Sequence, residues 1–151
     1  MEKMHITTVI NAPKERVWDL MLGDATYREW TTVFSPGSYY KGNWEEGSKM
    51  LFLGPNPADG TEGGMVSRVK ENRLYEFISL EHQGMINNGV EDTTSDAIKD
   101  WAGAHENYTF TEKDGGTELT IDMDIVESEK DSMEKAWKEA LVKLKEMAER
   151  E

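Results

Sequence analysis

The chain has 151 residues, no cysteine and a formal net charge of −13 at pH 7. This length suits one domain with a single sizeable core, and we expect residues 1–151 to form it. The absence of cysteine excludes disulfides, thiolate metal ligands and cysteine nucleophiles, and the negative charge disfavours nucleic acid and anionic bilayers as partners.

The N-terminal stretch "MEKMHITTVI" alternates and lacks the continuous apolar segment of a secretory signal. No run of about 18 apolar residues, the length a membrane span requires, occurs in the sequence. We therefore expect a cytoplasmic protein that does not insert into a membrane.

The first predicted elements are a strand and two short helices. Residues 4–10 alternate, with Met4 and Ile6 on one side, and this period of two predicts a strand. In "NAPKERVWDLMLG", Pro13 suits the start of a helix and Gly23 its end. The next stretch, "ATYREW", predicts a second helix that Asp24 can cap.

The middle of the chain is predicted to consist of strands, because runs of β-branched and aromatic residues are separated by the turn-forming residues Gly, Pro, Asn and Asp. Asp114, Gly115 and Gly116 predict a hairpin turn in which they supply the positive φ angles, "KENRL" predicts a second turn, and residues 54–64 predict a loop. The predicted strands cover residues 49–54, 64–71, 74–83, 105–112 and 117–126.

Residues 84–100 carry few strand signals and are too many for a simple hairpin. Long segments of this kind are often lids or binding loops. We predict a short helix or flap over a cavity mouth, with Met85, Ile86 and Trp101 lining the entrance.

The last segment, residues 129–151, predicts a long helix, and Ser128 with Asp131 resembles a capping box at its start. Strands followed by a helix with a wide apolar stripe predict an α+β fold, in which an antiparallel sheet curves around the helix and encloses a space. The stripe consists of Met133, Trp137, Ala140, Leu141, Leu144 and Ala148.

Five motifs give the chain a family resemblance: "INAPKERVW" (10–18), "REW" (28–30), "WAGAHENYTF" (101–110), "GGTELT" (115–120) and "WKEALVKLKE" (137–146). Together they resemble the SRPBCC superfamily of START-like and birch-pollen-allergen-like domains. The most similar branch is the stand-alone bacterial domains akin to the C-terminal domain of the heat-shock-ATPase activators. This resemblance implies a helix-grip fold, with a curved antiparallel sheet wrapped around a long C-terminal helix and two short helices after strand 1.

Members of this superfamily bind lipids, sterols, polyketides or hormones between the sheet and the long helix. The resemblance therefore implies that the chain binds a hydrophobic or amphipathic small molecule, lipid or aromatic and polyketide-like, in such a cavity. Two alternatives stay open. One is a cyclase- or hydrolase-type enzyme that uses Glu106 or His105 as a general base. The other is a chaperone-ATPase-activator-like protein that acts on a protein partner.

Motifs for other chemistry are missing from the sequence. His5, His82 and His105 have no second histidine at metal-ligand spacing, and neither a GxSxG elbow nor a phosphate-binding loop is present. We therefore predict no metal site, no cofactor and no catalytic residue.

Glu106 is the polar residue of most interest, because alternation puts it on the face of Tyr108 and Phe110. Aromatic residues make this the inward face, where a carboxylate needs a partner. Arg68, on the face of Val66, is the predicted partner. The sequence leaves open a solvated Glu106 at the sheet rim.

The predicted cavity wall combines aromatic side chains with the polar anchors Arg68 and Glu106. Met65, Met85, Met123 and Met133 would add adaptable surface. The predicted cavity residues are Trp30, Phe34, Trp44, Arg68, Phe77, Trp101, Glu106, Tyr108, Trp137 and Leu141.

Overall fold

The computed structural model describes residues 1–56 and 59–150. These residues form an α+β fold with one antiparallel sheet and four helices. The elements are β1 (Glu2–Ile10), α1 (Lys14–Leu22), α2 (Asp24–Trp30), β2 (Tyr39–Gly42), β3 (Lys49–Pro55), β4 (Glu62–Arg73), β5 (Phe77–Asn87), β6 (Val90–Asp92), α3 (Asp96–Lys99), β7 (His105–Lys113), β8 (Gly116–Ile125) and α4 (Lys130–Glu149).

The sheet is open, with the strand order β1-β8-β7-β5-β4-β3-β2. Register shifts between Val66 and Ser67 and between Val69 and Glu71 interrupt the β4–β5 ladder, and bulges of this kind bend and twist a sheet. Helix α4 contacts β1, α1 and α2, so the long helix lies in the curve of the sheet. The predicted helix-grip fold is confirmed.

One edge of β5 is divided between two strands. Phe77–Glu81 pair with β7, and Met85–Asn87 pair with β6. The intervening segment, residues 93–104, contains α3 and bulges away from the sheet between these two pairings. This division places α3 beside one end of the sheet, where the cavity described below opens.

Helix α4 packs its apolar stripe into the main core, together with β1 and β8 residues such as Ile6 and Ile121. Of the predicted stripe, Met133 is half-buried and the other members are buried, and Met147 joins them. Full burial of each large apolar side chain stabilises the fold by about 1.5–3 kcal/mol.

The C-terminal end of α4 is fastened by Arg16 of α1. Its Nε donates to the Ala148 carbonyl at 2.7 Å, and its Nη2 donates to the Met147 and Arg150 carbonyls at 3.3 and 3.2 Å. These are carbonyls that a helix end leaves without intrahelical partners, and a cation there also complements the helix dipole. The two helices are thereby held against each other.

Helices α1 and α2 lie where the sequence predicts them. Pro13 precedes the first residue of α1 and Gly23 follows its last. Asp24 is the first residue of α2 rather than its cap, because Gly23 occupies the cap position.

Several local predictions are wrong. The short strands β2 and β6 are additional to the predicted strands. The strand predicted from residue 74 begins at Phe77, because Tyr75, with φ of 63°, belongs to the turn. The capping box is also wrong, since Glu129 occupies the cap position of α4 and no side chain caps it.

The predicted loop 54–64 is shorter than expected, because β3 extends to Pro55 and β4 begins at Glu62. Residues 57–58 of this loop lie outside the described residues, as does residue 151 of the predicted helix.

Gly116 has a different role from the one predicted. In the β7–β8 turn, Asp114 and Gly115 carry the positive φ angles of 51° and 82°. Gly116 does not, but a Cβ there would lie 2.6 Å from the Ile10 carbonyl oxygen. Glycine at 116 therefore allows the close approach of the β7–β8 hairpin to the end of β1.

None of the helices formed by the described residues combines the length and apolarity needed to cross a membrane.

We expect Leu144→Ala to lower the free energy of unfolding by about 2–5 kcal/mol, because Leu144 is fully buried between α4 and the sheet. The matched control is Val142→Ala on the same helix, where the side chain is 58% exposed and a change within about 0.5 kcal/mol is expected. Urea denaturation followed by circular dichroism measures both. Equal losses in the two variants would contradict the packing of α4 described above.

Candidate functional site

A cavity of about 730 Å³ lies between the inner face of the sheet and the N-terminal half of α4. Ligand pockets for small molecules span about 300–1,000 Å³, so this one has room for a ligand. Helix α2 and the 3₁₀ turn Thr31–Val33 close one side, and the ends of β3, β4, β5 and β8 form the other walls. Helix α3 borders the mouth through Ala97 and Ile98.

Aromatic rings in tilted and T-shaped arrangements surround Trp137 on the cavity wall. The ring centroid of Trp137 lies 5.7 Å from that of Trp30, 5.2 Å from that of Phe34 and 5.8 Å from that of Tyr108. The Trp30 indole N–H donates to the Met21 carbonyl at 3.0 Å, which fixes the orientation of this ring. The aromatic wall is therefore held in place before any ligand enters.

Four methionines line the cavity as the sequence predicts: Met65, Met85, Met123 and Met133. Their unbranched side chains can adapt to the shape of an apolar ligand. The wall thus combines fixed aromatic rings with deformable thioethers.

Six of the ten predicted cavity residues line the cavity: Trp30, Phe34, Trp101, Glu106, Tyr108 and Trp137. The other four lie elsewhere. Trp44 donates its indole N–H to the Leu22 carbonyl at 3.0 Å, Leu141 is buried in the core against the sheet, Phe77 lies under the Arg73 guanidinium at 4.8 Å, and Arg68 is exposed.

The prediction that Arg68 partners Glu106 is wrong because Val66 does not face inward. Val66 belongs to a second, smaller hydrophobic cluster with Leu53 and Ile86. Arg68 shares the face of Val66 by alternation, so its side chain points away from Glu106 into solvent. The adjacent residue Ser67 contacts His82 on the inner side, yet Val66 is buried as well, so burial of a strand residue does not by itself mark the inner face.

Glu106 nevertheless points inward, and its side chain lies in a cluster of buried polar groups. The carboxylate is 8% exposed, which excludes the solvated position at the sheet rim. Its Oε1 lies 3.2 Å from Nε2 of His82, and its Oε2 accepts a hydrogen bond from the Tyr108 hydroxyl. Nδ1 of His82 lies 2.7 Å from Oγ of Ser67. We call Ser67, His82, Glu106 and Tyr108 the buried polar cluster.

His82 and Ser67 are site residues beyond those predicted from the sequence. A signal for His82 was present, because alternation along the predicted strand 74–83 puts it on the face of Ile78 and Leu80, both of which are buried in the core. Ser67 had no comparable signal, since a serine in a strand is compatible with either face.

His82 lies between the part of β5 that pairs with β7 and the part that pairs with β6. The His82 amide donates to the Ala104 carbonyl at 2.8 Å, and the Gly103 amide donates to the His82 carbonyl at 2.8 Å. These bonds fasten the turn 101–104 to β5. As a result, the Trp101 ring stacks on the His82 imidazole, with centroids 5.1 Å apart and planes 10° from parallel.

Two phenols near Glu106 remain protonated well above neutral pH. Burial raises the pKa of Tyr108 well above its ordinary value, and the neighbouring Glu106 charge raises it further. Burial also raises the pKa of Tyr27, again assisted by Glu106. Tyr108 therefore serves as a hydrogen-bond donor to Glu106.

One set of proton positions satisfies the whole buried polar cluster. Tyr108 donates to Oε2 of Glu106, Nε2–H of His82 donates to Oε1, and the Ser67 hydroxyl donates to Nδ1 of His82. No other side-chain partner of the Ser67 hydroxyl exists among residues 1–56 and 59–150. The cluster is therefore a chain of donors that ends at the Glu106 carboxylate.

The order Ser67–His82–Glu106 resembles a nucleophilic triad, but the geometry does not allow that use. The Ser67 side chain is fully buried and lies outside the set of residues lining the cavity. A substrate in the cavity has no route to its hydroxyl. Ser67 instead fixes the tautomer and the orientation of the imidazole.

His105, the other predicted general base, lies outside the cavity. Its Nε2 is 3.5 Å from Glu81, and its Nδ1 is 3.9 Å from Asp124. Within the described parts of the chain, no group of three or more His, Asp or Glu side chains is arranged to hold a metal ion.

The predicted flap is a hairpin followed by a short helix. Asn88 and Gly89, with φ of 50° and 76°, form the turn between β5 and β6. Helix α3 then leads to Trp101. Met85, Ile86 and Trp101 line the cavity, as do Ala97 and Ile98 of α3.

Comparison with protein families identifies the chain. The family described as Activator of Hsp90 ATPase homolog 1-like protein matches residues 11–149, so the chain belongs to this family. This confirms the resemblance found in the sequence. Comparison with curated proteins by sequence finds no match.

Solved structures with the same fold include ChR145 from Cytophaga hutchinsonii, with 20% identity, a TM-score of 0.72, and coverage of 97% of this chain and 93% of that one. An AHSA1-like protein from Aeromonas hydrophila has 14% identity, a TM-score of 0.70 and coverages of 95% and 90%. DynU16, a protein in the dynemicin biosynthetic locus, has 14% identity and a TM-score of 0.69; the match covers 99% of this chain and 48% of DynU16. At these identities the likeness shows the fold alone.

We expect an alkaline titration of the folded protein, followed by tyrosinate absorbance, to show a late step from Tyr27 and Tyr108 that Tyr108→Phe reduces by about half. The pKa of Tyr108 is higher in the folded chain than in the unfolded one, where it is about 10. Between the two values the unfolded chain binds fewer protons, so the free energy of unfolding falls as the pH rises above about 10.

The control for this titration is Tyr75→Phe, which removes a phenol from the β4–β5 turn outside the buried polar cluster. It should leave the late step in place. A Tyr108→Phe variant that retains the full late step would contradict the burial and the hydrogen bond of Tyr108.

Proposed function

We propose that this member of the Activator of Hsp90 ATPase homolog 1-like protein family binds a hydrophobic or amphipathic small molecule in the cavity between the sheet and α4. The observation that carries the proposal is a space of about 730 Å³ with aromatic and methionine walls and a single buried carboxylate, Glu106, on its inner surface. Pockets that are mostly apolar and contain a few oriented polar groups are typical of small-molecule sites.

Affinity would come from the apolar wall. Each Å² of apolar ligand surface removed from water contributes about 25 cal/mol, and the loss of translational and rotational freedom offsets part of this. Because the Trp30 ring is already fixed by its bond to the Met21 carbonyl, this part of the wall loses little further freedom on binding. The preformed wall therefore favours binding.

The mouth of the cavity has an apolar rim. Phe34, Met85 and Val126 are exposed there. Contact of large apolar side chains with water does not stabilise the fold. A rim of this kind suits the passage of an apolar ligand. The neighbouring helix α3 has four residues, and a short segment of this kind can move without disturbing the sheet.

The two alternatives are less well supported by the geometry. For an enzyme, one of the two candidate general bases, His105, does not line the cavity. A partner protein would need an exposed apolar surface, and the rim residues Phe34, Met85 and Val126 belong to the cavity mouth itself.

We expect the neutral fluorescent probe N-phenyl-1-naphthylamine to bind one molecule per chain, with increased emission from an apolar site. Ala97→Trp should weaken binding at least about tenfold, which is about 1.4 kcal/mol, because Ala97 is exposed and lines the mouth. A fluorescence titration measures the dissociation constant.

The matched control for this titration is Ala102→Trp, because Ala102 is also exposed but does not line the cavity. This variant should bind the probe as the parent does. An absence of saturable binding by the parent, or equal weakening by both tryptophans, would overturn the proposal.

A further inference from the structure

The permanently charged side chains that line the cavity are acidic. Among the described residues, the ionisable wall residues apart from tyrosine are His82, Glu106, Asp124 and Glu129, with no lysine or arginine. The whole chain also carries a net charge of −13. A ligand that enters this cavity therefore meets carboxylates and no permanent cation.

Each of these acidic groups has a different environment. Asp124 is paired with Lys3 and accepts the His105 amide at 2.9 Å, and Glu129 is exposed at the mouth. Glu106 is the buried member. Its nearest basic group is the His82 imidazole, whose Nε2 lies 3.2 Å from Oε1, and Glu106 has no lysine or arginine partner among the described residues.

An anionic ligand group would be destabilised at this position. A carboxylate near Glu106 would lose its hydration and meet no lysine or arginine in the described cavity wall, and burial of an unpaired charge is costly. The two carboxylates would also repel each other, more strongly in this enclosed site than in water. Electrostatics therefore oppose fatty acids and other carboxylate amphiphiles.

A ligand that carries a hydrogen-bond donor meets the opposite situation. Each oxygen of Glu106 accepts one side-chain hydrogen bond in the structure, and a carboxylate oxygen can accept two. A ligand hydroxyl or ammonium group can therefore be accepted without displacing His82 or Tyr108. Hydrogen bonds to a charged acceptor are about twice as strong as neutral ones.

Tyr27 supplies a second polar contact on the same wall. Its hydroxyl has no hydrogen-bond partner among the described residues, although it lines the cavity. After burial, the negative charge of Glu106 is a second cause of the raised pKa of Tyr27. A ligand hydroxyl between the two can donate to Glu106 and accept from Tyr27, whereas a ligand ammonium can donate to both oxygens.

We propose that the cavity selects neutral or cationic amphiphiles that present a hydroxyl or amino group to Glu106, and that it discriminates against carboxylate amphiphiles. This inference rests on the proposed function, because it specifies the ligand class of the same cavity. Glu106 is then the residue that determines specificity, and the aromatic and methionine walls hold the apolar body of the ligand.

The test uses three compounds with one apolar body: 2-naphthylmethanol, 2-naphthylmethylamine and 2-naphthoic acid. At neutral pH they are neutral, cationic and anionic. Each competes with bound N-phenyl-1-naphthylamine on the full chain. We expect the alcohol and the amine to displace the probe at concentrations at least about tenfold lower than the acid, equivalent to about 1.4 kcal/mol.

Glu106→Gln should reduce this discrimination, because glutamine keeps the size and hydrogen-bonding capacity of the side chain and loses its charge. The amine should bind more weakly to this variant and the acid more tightly. The matched control is Glu129→Gln, which makes the same charge change at the exposed mouth and should leave the ratio within about twofold. Thermal unfolding checks that both variants fold. If Glu106→Gln does not fold, the competition by the three compounds on the unmodified chain tests the inference alone.

The outcomes separate this inference from the proposed function. If the probe itself does not bind to the parent, the proposed function fails. If the probe binds but the acid displaces it as well as the alcohol does, only the inference fails. The inference also fails if none of the three compounds displaces the bound probe, or if Glu129→Gln changes the ratio as much as Glu106→Gln does.

Discussion

The burial of one carboxylate determines how the inner end of the cavity is built. A buried Glu106 is tolerated only if its oxygens are hydrogen-bonded, and Tyr108 and His82 supply those bonds. His82 in turn requires a partner on its other nitrogen, which Ser67 provides, and Trp101 covers its ring. Parts of β4, β5, β7 and the turn before β7 are thus brought together around a single negative charge.

Helix α4 has two different roles along its length. Its C-terminal half packs tightly on the sheet through Leu144 and Ala148, and Arg16 fastens its end to α1. Its N-terminal half instead faces the cavity with Met133 and Trp137. Because the C-terminal half is packed tightly on the sheet, it holds the helix in position. The N-terminal half can therefore border the cavity without closing onto the sheet.

Much of the architecture follows from periodicity alone. A period of two identified most of the long strands, and the apolar stripe identified α4, because burial on one face imposes these spacings. The inward direction of Glu106 followed from the same alternation. The predicted pairing of Arg68 with Glu106 is wrong because Val66, on the same face as Arg68, is buried although it lies on the opposite face from Glu106. The neighbours of His82 in the cluster, Ser67 and Glu106, are distant from it in sequence. Strand β6 was missed although Asn88-Gly89 is a strong hairpin signal. Contacts between strands distant in sequence, such as Ser67 with His82, have no local signature.

The divided edge of β5 has a consequence for how such a protein can diversify. Strands β6 and β7 pair with separate parts of β5. The register of each pairing therefore does not depend on the segment between β6 and β7. Residues 93–99 can therefore change in length and composition without shifting the ladder on either side. The segment that frames the cavity mouth is an exchangeable module on a constant scaffold, and replacing it would alter ligand access while preserving the buried polar cluster behind it.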